Sequence, residues 1–408
     1  MAPTSVTARV ETAAPQTWAP FGPTVAVLAA TGVLVVGQMY TVIALFVPMA
    51  TTFGAPAGQL TWMATAFGFA YAVGFLFAGP LSDRYGPRTI ITIGLLATTV
   101  TTALVAFAGT LTLGCALRAL QGVTAACFAP AAFSYVTEHI NPKRRALALT
   151  CITSGFLAAA VLMQVAAQVV SAAVNWQTVF LISSPCMLLA ALANRAVLRP
   201  NHREQVASVA SAFAAMPKLL ARPKMLALYA ATMTLLGGFV AIYTAVTLAG
   251  PSSVAGHPSA LLALRASALP AMVVIPLVTP LLARVPAVPR IAASLSVAAV
   301  AALAAAASGG NVIVLGAVLL VFVAAIAAAA PALVEAIGAA AGTARGAAVA
   351  LYAFAMFVGA SLGPQLAGAL ASWGFAGIVR VVAVVLAVGA LLALATVRSR
   401  RASEIDAG

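Results

Sequence analysis

The stretch Gly79-Pro80-Leu81-Ser82-Asp83-Arg84-Tyr85-Gly86-Pro87-Arg88 is a short charged interruption between two long apolar segments. It sets Asp83, one of only seven acidic residues in the chain, beside Arg84 and Arg88. A tight turn here calls for residues that tolerate unusual backbone angles, which Gly79 and Gly86 supply. Arg84 and Arg88 anchor such a loop on the cytoplasmic surface of a membrane. Composition alone leaves it as a positively charged inside loop.

Working outward, the 408 residues are 63% hydrophobic and 7% charged, where a soluble domain carries about 25% charged residues. That excludes a water-soluble globule and implies a polytopic membrane protein. The net charge of +14 invites a nucleic-acid reading. The basic residues, however, are scattered between apolar segments and not gathered on one face, so no nucleic-acid partner is expected. Residues 1–22 read as a disordered cytoplasmic tail and not as a signal peptide, being Thr/Ala/Pro-rich with a single Arg9. Cys115, Cys127, Cys151 and Cys186 lie in apolar segments without metal spacing and read as small buried packing residues.

Segments that can cross about 30 Å of hydrocarbon need about 20 apolar residues. Twelve are present, at 23–48, 60–81, 89–108, 111–136, 146–171, 177–197, 225–249, 259–282, 290–307, 311–334, 346–371 and 375–397. They divide into bundles at 23–197 and 225–397, followed by a tail at 398–408. Between them, 198–224 is a cytoplasmic linker holding Arg199, His202, Arg203, Glu204, Lys218, Arg222 and Lys224, with an interfacial amphipathic helix around Phe213–Leu220. Of the 21 Lys and Arg, only Arg118, Arg265 and Arg380 fall within segments away from their cytoplasmic ends, Arg195 and Arg290 lying at such ends. The others lie in the tails, in alternate loops or at the helix ends adjoining them, which places both termini in the cytoplasm and the chain in the inner (plasma) membrane.

The two halves repeat at an offset of about 200 residues. Pro80-Leu81 and Arg84 recur as Pro280-Leu281 and Arg284, with Ala283 in place of Asp83. Arg145 recurs as Arg345, and Ala129-Pro130-Ala131 as Ala330-Pro331-Ala332. Twelve helices in two pseudo-symmetric six-helix bundles, related by an axis along the membrane normal, make an all-α membrane protein of a known transporter architecture.

The order G-P-L-x-D-R-x-G-P-R closely resembles the signature loop between helices 2 and 3 of the major facilitator superfamily, with Pro87 where the family has the first of a basic pair. The repeat extends the resemblance over the whole membrane region. It implies that Gly79, Asp83, Arg84, Gly86 and Arg88 form a conformational latch, Asp83 docking on the free amides that open helix 11 near Thr343–Gly346. The sequence Arg118-Ala119-Leu120-Gln121-Gly122 resembles the family's helix-4 motif, and so implies a coupling role for Arg118 with Gln121.

Arg118 lies about 10 Å deep at 1.5 Å per residue. An Arg there costs about 2.5–3.5 kcal/mol unless it faces protein or water. Gln121, three residues on, shares its face. The alternative is an Arg snorkelling outward along its own helix. Arg keeps its proton in proteins, so Arg118 tunes a neighbour or an anion and does not carry a proton. No acidic residue lies mid-membrane; Asp83, Glu138 and Glu335 sit at cytoplasmic helix ends.

Other polar residues interrupt apolar runs. Gln38, Tyr40 and Thr41 lie in the first segment, Gln164 and Gln168 form a stripe at i and i+4 in the fifth, and Thr232 and Tyr243 lie in the seventh. Arg265 opens the eighth, ahead of Pro270, Pro276 and Pro280, which should bend it. The resemblance places helices 1, 4, 7 and 10 around a central cavity, making Gln38, Tyr40, Thr41, Thr232, Tyr243 and Arg118 candidates to bind substrate. Gln164 and Gln168 either line that cavity or hydrogen-bond between helices, and Arg265 with Arg118 would make its outer half positive, favouring an anionic or polarisable ligand. Trp62, Tyr71 and Trp176 read as interfacial anchors or packing. Gly359-Ala360-Ser361-Leu362-Gly363-Pro364 resembles the family's antiporter motif, shifted from helix 5 to helix 11, and implies a hinge at Gly359, Gly363 and Pro364.

The resemblance thus implies a secondary transporter of the drug:proton antiporter and sugar-efflux branch, exporting a small amphipathic compound by alternating access. Protons are the expected coupling ion, the bilayer and a small molecule the expected partners, and a monomer without cofactor or metal the expected form. A facilitator or exchanger of an organic anion is the first rival, given the missing carboxylates. A non-transporting membrane sensor or scaffold is the second. An enzyme is not expected, since no nucleophile–base pair or metal cluster appears.

Overall fold

A chain in hydrocarbon must satisfy every backbone N–H and C=O internally, and here each long apolar run does so as α-helix. The computed structural model describes residues 18–200, 209–255 and 257–405, and among these no strand occurs. α1 (Phe21–Thr41) passes through a 3-10 stretch, Val42–Leu45, into α2 (Phe46–Phe53). There follow α3 (Thr61–Tyr85), α4 (Pro87–Val105), α5 (Leu111–Ala125), α6 (Phe128–His139), α7 (Pro142–Ala173) and α8 (Trp176–Val197). A short connecting helix, α9 (Val209–Leu220), leads to α10 (Pro223–Ala249), α11 (Pro258–Ala266) and α12 (Leu269–Leu282). The chain ends with α13 (Ala287–Ala306), α14 (Val312–Ala341), α15 (Arg345–Ala369) and α16 (Gly374–Ile405).

Counting α1–α2 and α5–α6 as single passes, eleven helical runs among the described residues are long and apolar enough to cross a bilayer. The protein is a multi-pass membrane protein. The twelfth expected span, 259–282, is not one helix: it breaks between α11 and α12. Pro270, second in α12, has no N–H to donate and its ring crowds the carbonyl four residues back, at Ala266. The expected bend is a break.

The signature stretch also differs from a simple turn. α3 runs on through Gly79, Pro80 and Asp83 to Tyr85, and only Gly86 leaves the helix, with φ 84°. Gly79 is helical, and a side chain there would meet nothing within 4 Å. Packing neighbours let a membrane helix absorb the donor lost at Pro80. Pro87 then opens α4, where a missing N–H costs nothing. The ends differ as well. Residues 18–22, expected in the tail, pack on the turn before α7: the Ala19 N–H donates to His139 O at 2.9 Å, and Arg145 lies over Trp18. At the other end α16 continues as helix to Ile405. The connecting helix starts at Val209, four residues before the expected stretch, while His202, Arg203 and Glu204 lie outside the described residues. All four cysteines are half-buried, not fully buried as expected.

α1–α8 pack on one another, as do α10–α16, and the two groups meet along α3 with α15 and along α7 with α11 and α12. Alternate loops carry the Lys and Arg residues, giving the bundle a basic face and a charge-poor face. Toward the charge-poor face the seam is hydrogen-bonded: the Thr65 hydroxyl donates to Ser361 O at 2.6 Å and accepts from Gln365 Nε2 at 3.0 Å. At mid-depth it is aromatic, with Tyr71 edge-on to Phe357 at 4.5 Å and Tyr40 edge-on to Phe239 at 6.0 Å. On the basic side α9 touches both α3 and α15 and sets Phe213 5.2 Å from Phe77.

Candidate functional site

The interior polar site is built around Arg118, which is fully buried. Its Nη1 donates to Gln121 Oε1 at 2.6 Å, its Nη2 to the Gln38 carbonyl at 2.9 Å and its Nε to the Met63 carbonyl at 3.3 Å. The local sequence explains why Gln38 can serve. As α1 turns into the 3-10 stretch, the Val42 N–H bonds Tyr40 O and leaves the Gln38 carbonyl for the guanidinium. Gln121 Nε2 in turn donates to Thr102 Oγ1 at 2.8 Å and to Gln38 Oε1 at 3.2 Å. The guanidinium also sits 4.3 Å over the Phe67 ring. Hydrogen bonds to a charged group contribute about 1.5–3 kcal/mol each, so three of them offset the penalty of about 2.5–3.5 kcal/mol for an Arg in the bilayer. Arg118 does not snorkel; it knots α1, α3, α4 and α5 together.

That knot depends on one glycine. A side chain at Gly122 would fall 2.3 Å from the Phe67 carbonyl oxygen and 3.1 Å from the Tyr71 nitrogen. α5 therefore lies backbone-to-backbone on α3 and presents Arg118 to Phe67.

A second buried cation, Arg265 on α11, is 1% exposed. Its Nη1 donates to Gln168 Oε1 on α7 and its Nη2 to Thr247 Oγ1 on α10, the latter at 3.1 Å. Its acceptors come from both helix groups, so it spans the seam. Tyr243 lies one turn before Thr247 on α10 and accepts the Thr247 hydroxyl at its carbonyl at 3.0 Å, and its own hydroxyl is buried without a partner. Gln164, one turn from Gln168, bonds its own helix through Nε2 to Ala160 O at 2.6 Å and leaves a buried, unpartnered Oε1.

The remaining expected residues divide. Tyr40 lies at the seam, whereas the Thr41 hydroxyl turns back to Gly37 O at 3.0 Å and that of Thr232 to Leu228 O at 2.8 Å. Gly359 and Gly363 mark a helix crossing: side chains there would lie 2.1 Å from Met233 O and 2.5 Å from Gly237 O, both on α10. Pro364 is buried within the same helix. In the signature stretch, Arg84 lies over Tyr85, and Arg88 Nη2 donates to Arg195 O at 2.6 Å. Arg88 thereby caps the end of α8 and not a partner helix across the seam.

Thr102, Thr247, Phe67, Phe239 and Phe357 were not expected at the site; of the two readings of Tyr71, anchor or packing, its 1% exposure and its contact with Phe357 at the seam give packing. A signal existed. Phe67, Tyr71 and Phe75 recur at i, i+4 and i+8 and so share one face of α3.

A profile of the Major Facilitator Superfamily matches residues 28–336. The chain is 27% identical over 178 residues to the tetracenomycin C resistance and export protein of Streptomyces glaucescens, covering 43% of this chain and 33% of that protein. It is 30% identical over 158 residues to the multidrug efflux pump LfrA of Mycolicibacterium smegmatis, covering 38% and 31%. Over 105 residues it is 36% identical to the steroid transmembrane transporter SLC22A24 of Rattus norvegicus, covering 26% and 18%. These matches span between about a fifth and a third of the relatives' own length.

Proposed function

The chain belongs to the Major Facilitator Superfamily, and from that premise we propose that it exports a small amphipathic compound by alternating access in exchange for protons. In this reading the basic face is cytoplasmic, the membrane is the plasma membrane, and the two helix groups rock about the interior site. The observation that carries it is the seam. The two groups are joined toward the charge-poor face by side-chain hydrogen bonds, Thr65 with Ser361 and Gln365, and Arg265 with Gln168. Such bonds can be exchanged for water when that face opens. The names of the tetracenomycin and LfrA relatives favour export of an amphipathic molecule.

Asp83 and the loop around Gly86 are assigned to the latch, and Arg118 with Gln121 to holding the first helix group in shape during the cycle. A second reading, exchange of an organic anion without protons, is favoured by Arg118 and Arg265, neither of which has a carboxylate among its hydrogen-bond partners. Flux measured in reconstituted vesicles separates the two. Proton antiport requires that flux fall when both the pH gradient and the potential are collapsed; flux that persists unchanged leaves the exchanger. A disulfide between cysteines introduced at Thr65 and Ser361 should stop either process, and continued flux through the cross-linked protein would refute alternating access at this seam.

A further inference from the structure

We infer that Arg265, with Tyr243 and Gln164, forms the subsite that reads the substrate, and that it selects compounds carrying an acidic oxygen at one end and a hydrogen-bond donor at the other. The inference rests on the reading of the seam as the transport path. It separates two buried arginines that look alike in sequence. Arg118 makes three hydrogen bonds, two of them to main-chain carbonyls, and all three acceptors belong to one helix group. Arg265 instead donates to two neutral side chains, an amide and a hydroxyl, from opposite sides of the seam. Replacing the Gln168 amide oxygen by a charged oxygen converts a neutral-acceptor bond into an ion-paired one, roughly twice as strong. The same movement of the helix groups that admits a substrate withdraws Gln168 from Arg265.

Two orphaned polar atoms complete the description. The buried Tyr243 hydroxyl, on the helix that supplies Thr247, can donate to the same anion. Gln164 Oε1 is an acceptor only, held in that orientation by the bond from its Nε2 to Ala160 O. It lies one turn from Gln168, about 6 Å along the helix, and calls for an O–H or N–H on the ligand. A buried cation without a counter-ion disfavours a second cation, so lipophilic cations are selected against.

Para-hydroxybenzoate carries both groups at opposite ends of one ring and is the probe; para-hydroxybenzamide, its uncharged isostere, and benzoate, which lacks the donor, are the controls. Binding is measured by calorimetry on purified protein in detergent, with no gradient present, so it reads the subsite whether or not flux is proton-coupled. The wild type should bind para-hydroxybenzoate at least tenfold more tightly than either control. Arg265→Gln should abolish the preference over the amide while leaving binding of the amide itself in place. Tyr243→Phe, which removes one oxygen and no charge, should reduce that preference severalfold, and Gln164→Leu should erase the preference over benzoate. Equal wild-type affinity for acid and amide, including no measurable binding of either, would overturn the assignment. So would a preference that survives intact in Arg265→Gln.

Discussion

If Arg118 is a knot and not a ligand contact, the conservative substitution should be the harmful one. Arg118→Lys keeps a charge in the hydrocarbon but loses the planar fork that reaches Gln121, Gln38 O and Met63 O together. A compact ammonium can hold one of these three directions well. Losing two charge-assisted bonds at about 1.5–3 kcal/mol each removes about 3–6 kcal/mol, with the cost of burying the charge still present. Arg118→Met removes the charge, recovering about 2.5–3.5 kcal/mol. It leaves Gln38 O and Gln121 Oε1 without a donor, at about 1–3 kcal/mol each, while Met63 O, inside α3, keeps the donor of its own helix, so gain and loss nearly cancel. Thermal unfolding in detergent should therefore rank wild type at or above Arg118→Met, and both well above Arg118→Lys. Either variant that folds should retain the preference for para-hydroxybenzoate over its amide. An Arg118→Lys protein as stable as wild type but without that preference would refute the reasoning, because it would put Arg118 on the ligand.

Three further outcomes follow from the geometry. Gly122→Ala should destabilise by about 1–3 kcal/mol, as overpacking does, because its methyl would lie 2.3 Å from the Phe67 carbonyl oxygen; thermal unfolding checks this, and Gly79→Ala, with open space around it, should be silent. Thr65→Val removes two hydrogen bonds across the seam, about 0.5–1.5 kcal/mol each; spin labels at Gln59 and Ser372 in a cysteine-free background should show a larger population of long distances. Cysteine at Thr110 or Ser253 should react with an impermeant thiol reagent added outside intact cells, and cysteine at Arg222 should not, if the basic face is cytoplasmic; the half-buried native cysteines must first be replaced.

Much of this architecture was legible because hydrocarbon leaves the backbone few options. Length, hydropathy and the Lys/Arg distribution placed the helices, and the signature stretch with its repeat at about 200 residues pointed to the family. Proline was the weaker guide. The same residue type is absorbed within α3 at Pro80 yet coincides with a break at Pro270, and neighbouring helices decide which outcome occurs. At the site, Arg118 and Gln121 were legible because a charge in an apolar run must find acceptors, and an acceptor three residues on shares its face. Their other partners were not. The Gln38 carbonyl becomes available only through a 3-10 stretch, and Thr102 reaches Gln121 only through tertiary packing. Tyr71 stayed open between anchor and packing because an aromatic residue in a membrane helix fits either the interface or the interior, and depth along α3 does not separate the two.

The glycine contacts and the polar contacts partition the molecule in a way that bears on where a substrate can act. Within each helix group several crossings are backbone to backbone, with Gly122 on Phe67, Gly359 on Met233 and Gly363 on Gly237. No side chain can rotate away from such a contact, so these crossings open only by separating whole helices. Across the seam side chains supply most of the contacts, as where Gly68 faces the Ser361 hydroxyl, Thr65 meets Gln365, and Tyr71 meets Phe357, with one main-chain approach where Gly368 faces the Gly58 carbonyl. Hydroxyls, amides and ring edges change partners at little cost when water or a ligand replaces them. A ligand that is to bias one arrangement of the groups over the other must bind differently in the two, which requires a partner that leaves as the groups move. Every hydrogen-bond partner of Arg118 belongs to the first group and travels with it. Arg265 draws one acceptor from each group, so of the two cations it is the one whose environment must change if the groups rock as proposed.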